Sequence, residues 1–354
     1  MILSYRYRIK DARAARALAA HASSVNQVWN YCCDVQRKAE AKWKAGVAAR
    51  FPSEFDLIRL CTGSSAILGL HSDTVNATCR RFVHARDAVR YHPRFRASGG
   101  PRRALGWIPF ISRAVRVSSD EIRYLRRKYR LWLSRPIEGK IRTGAFVQDA
   151  RGRWYATFQC EIPEDRPIGD GSIGIDLGLK ALATCSDGTT VPALQHYRQY
   201  QTALAVAQRA NNKRRARAIH AKIANARRHH LHQWSTKIAA ENSLIVVGNV
   251  SAAQLKRTKM AKSVSDAGWS TLRAQLRYKA RRHGAVYVEA DERNTSVACS
   301  ECGCLSGPKG IAGLRIRRWE CADCGASHDR DVNAARNILR VGQECLPQVA
   351  GIAA

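Results

Sequence analysis

The sequence predicts a chain of two kinds of architecture: a small β-barrel carrying a helical insert, then an α/β domain with a cysteine-rich ribbon near its end. Three observations predict it. Stretches with period-two apolar residues fill residues 1–10 and 107–163. From residue 172 onward strands and helices alternate, and acidic residues appear at strand ends. Two Cys-x-x-Cys pairs, Cys299/Cys302 and Cys321/Cys324, lie close together late in the chain. At 354 residues the chain is long enough for two or three domains with cores of their own.

Charge narrows the function classes. Lys plus Arg is 60 against 28 Asp plus Glu, a formal net charge of +32. Such an excess favours a polyanion as partner, nucleic acid above all, with a membrane surface as the weaker alternative. No run of about 18 apolar residues exists to span a bilayer. The start, MILSYRYRIK, lacks the apolar core of a signal peptide. Twelve cysteines, most of them scattered, fit a reducing cytoplasm better than a disulfide framework.

In chain order, residues 1–10 read as a strand whose Ile2, Tyr5, Tyr7 and Ile9 are interleaved with Arg6, Arg8 and Lys10. A helical region follows, with Val25, Val28, Trp29, Cys32 and Val35 at helical spacing and Asn26 and Asn30 beside that stripe. A second helix is expected over Asp73–Arg90, capped by Ser72 or Asp73, with Arg80, Arg81, Arg86 and Arg90 on a solvated or phosphate-facing side. Residues 91–105 hold two prolines and a Gly-Gly and read as a linker. Strands are expected at Ala114–Val117, Glu138–Ile141, Ala145–Val147 and Trp154–Ile162, with a hairpin turn at Asp149–Gly152. These strands and residues 1–10 make one barrel, into which the helices are inserted. Glu164–Gly171 is the linker that follows.

Residues 172–190 read as a hairpin, with Asp176 set inside an otherwise apolar strand. A carboxylate there is costly unless it is paired or binds metal, which makes Asp176 a site candidate; an Asp at a strand edge facing water is the alternative. Residues 193–240 are helical and densely basic, with Arg209, Lys213, Arg214, Arg215, Arg217, Lys222, Arg227 and Arg228. So little acid compensates them that they read as a phosphate track rather than a solvated face. Leu244–Val247 is a buried strand, Trp269, Leu272 and Leu276 share a helix face, and Val286–Ala290 is a strand ending in Asp291 and Glu292. Lys256, Arg257 and Lys259 read as a solvated loop rather than a strand contact.

The two Cys-x-x-Cys pairs suit a closed tetrahedron of thiolates around one structural Zn2+, with Cys304 as a bystander. After them, His328-Asp329-Arg330-Asp331 opens a short Ala-rich helix; Asp331 suits its first turn, as a simple N-cap or as part of a site. Asp176, Glu292 and Asp331 come from three separate segments. If they converge, they must hold cations or repel one another. Two Mg2+ ions about 4 Å apart are the usual solution for phosphodiester chemistry.

The ordered set GIDLGLKALAT, a hydrophobic strand with a basic helix, TSxxCSxCG, CxxCG and DRDVNAARNI resembles the TnpB family of transposon-encoded RNA-guided DNA nucleases, relatives of the type V CRISPR effectors. The resemblance covers the C-terminal half well and the N-terminal half in outline. It implies a wedge β-barrel (1–10 and 100–165), a helical recognition domain (11–99), an RNase H-like (RuvC) nuclease domain (170–295 and 327–342), a zinc ribbon (296–326) and a C-terminal tail (343–354). It implies a guide RNA, double-stranded target DNA with an adjacent motif, no membrane partner, and a cytoplasmic, nucleoid-associated location. It matches Asp176 and Asp331 to the family's first and last catalytic acids, with Asp329 the lesser member of the last motif. One departure stands out. The family's usual second acid, a Glu after the strand that reads LIVV, is replaced by Gly248-Asn249. Either the acid is relocated to Glu292, with Glu289 as fallback, or the protein is a nuclease-dead RNA-guided repressor. A strand-joining transposase and a plain zinc-ribbon RNA-binding protein are the remaining readings.

Overall fold

In the computed structural model, which describes residues 1–48, 50–88, 93–164, 166–313 and 315–346, the chain divides into two units, Met1–Pro163 and Glu164–Ala354. In the first, β1 (Ile2–Ile9) is followed by α1 (Ala12–Lys44), α2 (Glu54–Leu60), α3 (Ser64–Leu68) and α4 (Ser72–Ala88). Six strands come next: β2 (Trp107–Ile111), β3 (Val115–Ser118), β4 (Glu121–Tyr124), β5 (Arg127–Trp132), β6 (Lys140–Gln148) and β7 (Trp154–Glu161).

One seven-stranded sheet results, in the order β2-β6-β7-β1-β5-β4-β3. Its two outermost strands, β2 and β3, are joined by a single three-residue helical turn at Ser112–Ala114, so the sheet must curl until its edges approach. Alternation fills the barrel-like interior with Tyr5, Tyr7, Phe110, Tyr124, Tyr129, Phe146 and Phe158, all buried, and leaves Arg6 and Arg8 outside. The strands β2, β4 and β5 go beyond the sequence expectation. In the last two, arginines hide the period, but Ile122, Tyr124, Tyr129 and Leu131 point inward at every second place. The two short strands expected at 138–147 are one continuous strand, β6. The Asp149–Gly152 turn forms as expected, with Gly152 N–H on the Asp149 carbonyl.

The helices differ from expectation in instructive ways. α1 is one helix of 33 residues. The expected linker is partly a strap: Asn26, Trp29 and Asn30 bind Ser98 Oγ and the carbonyls of Arg94 and Arg96. Asp73 lies inside the first turn of α4 and, buried, accepts two bonds from Arg113, which ties the helix to the turn between β2 and β3. Arg80 pairs with Glu54, and Arg86 donates to the Pro52 carbonyl, so neither is a free phosphate contact. Arg90 lies outside the described residues, as do residues 347–354 of the expected tail.

The second unit begins with β8 (Gly171–Leu177), β9 (Ala181–Cys185) and β10 (Thr190–Pro192), followed by α5 (His196–Arg209) and α6 (Lys213–Glu241). The expected continuous helical stretch is thus a hairpin of two helices, broken where Asn211 takes a left-handed backbone and Asn212 caps α6 through Arg215 N–H. Then come β11 (Asn242–Gly248), α7 (Ala252–Leu255), α8 (Ala261–Ala267), α9 (Trp269–Arg282) and β12 (Val286–Ala290). The chain continues through α10 (Gly310–Gly313), β13 (Arg318–Glu320), β14 (Ser327–Asp329) and α11 (Arg330–Glu344).

The sheet order is β10-β9-β8-β11-β12; β8, β9 and β10 are antiparallel, and β11 runs parallel to both β8 and β12. Central β11 is buried on both faces, as its run LIVV requires. Ile245 and Val247 pack with α6 and α9, while Leu244 and Val246 pack with Ile338 of α11. α11 approaches so closely that a Cβ on Gly174 would stand 2.1 Å from the Ala335 carbonyl oxygen. Gly174→Val should therefore push α11 off β8 and cost about 1–3 kcal/mol. A urea melt of the variant beside the parent chain checks this; an unchanged midpoint would contradict the packing described.

Candidate functional site

On β8 the buried Ile173, Ile175 and Leu177 face α6 and α9, so by alternation Gly174 and Asp176 face α11. Asp176 sits between β9 and β11, paired opposite Thr184, and is not at a sheet edge. Burial pushes its carboxyl up to about 7, and repulsion from Glu292 and then Asp331 adds to the rise. Arg330 and the Leu177 backbone N–H oppose it. Asp176 thus feels two acids that lie far from it in sequence.

Glu292 stands just beyond the end of β12, and its side chain lies against Gly248. A Cβ on Gly248 would lie 1.9 Å from Glu292 Oε1 and 2.7 Å from its Cγ and Cδ. The space next to residue 248, where a side chain would begin, is filled by the Glu292 carboxylate. Burial also raises the Glu292 carboxyl, against a Val250 backbone hydrogen bond and the charge of Arg273. Its Oε1 is buried with no hydrogen-bond partner. The other acid on this strand, Glu289, faces α9: Arg277 and Tyr287 donate to it and Arg273 stands 3.6 Å away. Glu289 is therefore neutralised on the opposite face of the sheet.

Asp331 lies in the first turn of α11, but the N-cap is Asp329, which accepts from the N–H groups of Asp331 and Val332. That frees the Asp331 carboxylate, and both its oxygens are held by Arg317 at 2.9 and 3.0 Å. Among the described residues the three carboxylates do not close, as a set, to within 4.8 Å of one another. Arg317 was invisible as a partner in the sequence, because it reaches Asp331 only through the fold of the intervening segment.

The two cysteine pairs do converge. Sγ of Cys299 is 3.7 Å from that of Cys324, Cys302 is 3.6 Å from Cys321, and all four lie within 4.8 Å of one another. Four sulfurs about 2.3 Å from a single ion stand about 3.8 Å apart in a tetrahedron, so the cluster could hold a metal such as zinc. Each pair is followed by a glycine with left-handed backbone, Gly303 and Gly325, whose N–H bonds back to the first cysteine's carbonyl. Cys304 is no bystander: its Sγ lies 3.2 Å from Cys302 and 3.1 Å from Cys321. His328 Nε2 is 3.1 Å from Cys299 Sγ, a neighbour the spacing did not reveal. Asn333 and Asn337 of α11 donate to the Thr295 and Ala298 carbonyls, which fixes the ribbon's entry to the helix that carries Asp331.

Of the basic candidates, Arg209, Lys213, Arg214, Arg215, Arg217, Lys222 and Arg228 are exposed along the α5–α6 hairpin. Arg227 is half-buried and donates to the Ser265 carbonyl, so it serves packing. No described helix is long and apolar enough to cross a membrane.

The acids' mutual effect is measurable. Glu292→Gln should bring the Asp176 carboxyl down from about 7, and Asp331→Asn should do so by less. Carboxyl-carbon NMR titration reads both; an Asp176 titration unmoved by either change would mean the groups do not share a field.

Residues 269–338 match the family described as "Cas12f1-like, TNB domain", and residues 157–259 match the family described as "Probable transposase". A Streptomyces pristinaespiralis protein named "Putative RNA-guided DNA endonuclease" is 38% identical over 226 residues, covering 59% of this chain and 55% of its own length. A protein of Acanthamoeba polyphaga mimivirus named "TnpB-like protein L79" is 29% identical over 133 residues, covering 36% of this chain and 25% of its own. The chain spans about half the length of the curated relatives it matches. The fold is similar to that in a structure titled "Cryo-EM structure of the Cas12f1-sgRNA-target DNA complex", with TM-score 0.57 at 13% identity over 93% of this chain and 83% of that one. Over residues 157–338 the chain is thus similar to TnpB-like and Cas12f1-like proteins.

Proposed function

We propose that the protein is an RNA-guided DNA endonuclease that cuts double-stranded DNA beside a short adjacent motif, with Asp176, Glu292 and Asp331 as its metal-binding acids. The observation that carries this reading is the Glu292 carboxylate seated in the space beside Gly248, on the sheet end that Asp176 occupies. It favours a relocated second acid over a decayed site, and so a nuclease over a repressor that only binds. Glu289, tied to Arg277, is the weaker candidate.

The five-stranded order, antiparallel then parallel, supports an RNase H-like (RuvC) reading of residues 170–295 and 327–342. On the same reading residues 1–10 and 100–165 are the wedge barrel, 11–99 the recognition domain and 296–326 the ribbon. The exposed face of α5 and α6 suits a guide RNA or target backbone, through phosphate contacts that weaken as salt rises. Base pairing would read the target, and the protein its adjacent motif.

The chemistry of the donor set fits divalent cations. Two carboxyls have affinities for protons raised by burial, and the buried Oε1 of Glu292 lacks a partner. Two bound Mg2+ ions would activate water and stabilise the leaving oxygen. This chain's part is to hold Asp176 rigidly in mid-sheet, to seat Glu292 over Gly248, and to present Asp331 from the first turn of α11. Arg317 must yield the Asp331 carboxylate before that acid can serve. One Zn2+ on Cys299, Cys302, Cys321 and Cys324 would close the ribbon and leave no open position for chemistry.

Cleavage assays with guide and target test this. Asp176→Ala and Glu292→Gln should each lower cutting at least about 100-fold, a loss of about 2.7 kcal/mol or more in the barrier. Glu289→Gln should retain most activity, and guided binding should survive all three changes. Full cutting by Glu292→Gln would overturn the assignment, and no magnesium-dependent cutting by the parent chain would favour the repressor.

A further inference from the structure

Three buried cysteines in the first unit meet although they come from three helical segments. Cys32 lies in α1, Cys61 caps the C-terminus of α2, and Cys79 lies in α4. Sγ of Cys79 is 3.9 Å from that of Cys32 and 3.8 Å from that of Cys61, and all three sulfurs lie within 4.8 Å of one another. A buried thiol on its own is a small apolar group and needs no further account. Three that converge are a ligand set: an ion at their middle would stand about 2.3 Å from each sulfur, a thiolate–metal bond length. A groove adjoins the site. Cys61 lines an open groove of about 360 Å3 beside Tyr31, Leu60 and Ile67, while Cys32 and Cys79 are wholly buried behind it.

Charge selects the ligand. The influences on the three thiols are burial, one another and a backbone hydrogen bond at Cys79, with no lysine or arginine among them. Their shared S–H···S contacts pull the Cys61 thiol down and hold Cys32 up. Three thiolates around a monovalent ion would bury a net charge of two, and around a divalent ion a net charge of one. An unpaired buried charge is strongly disfavoured in apolar surroundings. With all three sulfurs bound as thiolates, only a trivalent centre leaves the site neutral.

We propose that Cys32, Cys61 and Cys79 form a three-coordinate binding site for a soft trivalent metalloid, the chemistry presented by arsenite. Neutral arsenous acid enters with three hydroxyls. Three As–O bonds break and three As–S bonds form, each thiol proton leaves with a hydroxide as water, and arsenic remains trivalent, so no electrons move. The centre then links α1, α2 and α4 in place of the sulfur contacts.

Native mass spectrometry of the reduced, zinc-loaded full chain with equimolar arsenite tests this. The expected product gains one arsenic and loses three hydrogens per chain, with its zinc retained. Cys79→Ala should abolish that product. Cys61→Ser, at the groove, should give at most an adduct that keeps one hydroxyl, and it serves if the core variant fails to fold. Cys33→Ala should bind as the parent does. No adduct on the parent chain, a full three-bond adduct on Cys61→Ser, or arsenic bound with expulsion of zinc would each overturn the proposal.

Discussion

A carboxylate buried in mid-sheet is the constraint on the second unit: the Asp176 carboxyl is raised by burial and, further, by the charges of Glu292 and Asp331. Asp176 cannot move away, because hydrogen-bonded strands flank it and α11 covers its face. Glu292 is held where a side chain at residue 248 would begin, and Asp331 is fixed by the first turn of a helix. Burial raises the Glu292 carboxyl as well. Arg317 and Arg330 supply partial compensation from the protein itself. Positive charge between the acids would relieve the remainder, which is why the site reads as a cation centre.

The glycine that breaks the family pattern is the most informative residue in the chain. Read by position alone, Gly248 is a lost acid. Read by volume, it is a berth: any side chain there would strike Glu292. On the proposed reading, a relocated carboxylate and a missing Cβ are two halves of one substitution. The ribbon belongs to the same arrangement, since Asn333 and Asn337 tie its entry to the helix bearing Asp331.

Much of this was legible in the sequence where a period or a spacing carries it. The Cys-x-x-Cys-Gly knuckles predicted the thiol cluster because a short local turn dictates their geometry. Asp176 stood out because an apolar strand exposes the cost of one acid. The LIVV run announced a strand covered on both faces. What escaped notice lacks a local signal. The strands β4 and β5 were hidden because arginines occupy their outer faces. The bond from Arg317 to Asp331, the approach of Cys304, and the meeting of Cys32, Cys61 and Cys79 each join segments whose proximity only the tertiary fold sets.

The central claim is that Glu292 completes a cation site with Asp176 and Asp331 by occupying the room that Gly248 leaves. Electron paramagnetic resonance of Mn2+ bound to the guide-loaded chain measures this without relying on turnover. The account expects two coupled ions in the parent, loss of the pair in Glu292→Gln, and its return when Gly248→Glu is combined with Glu292→Gly. A Glu292→Gln chain that still binds a coupled pair of Mn2+ ions would contradict it.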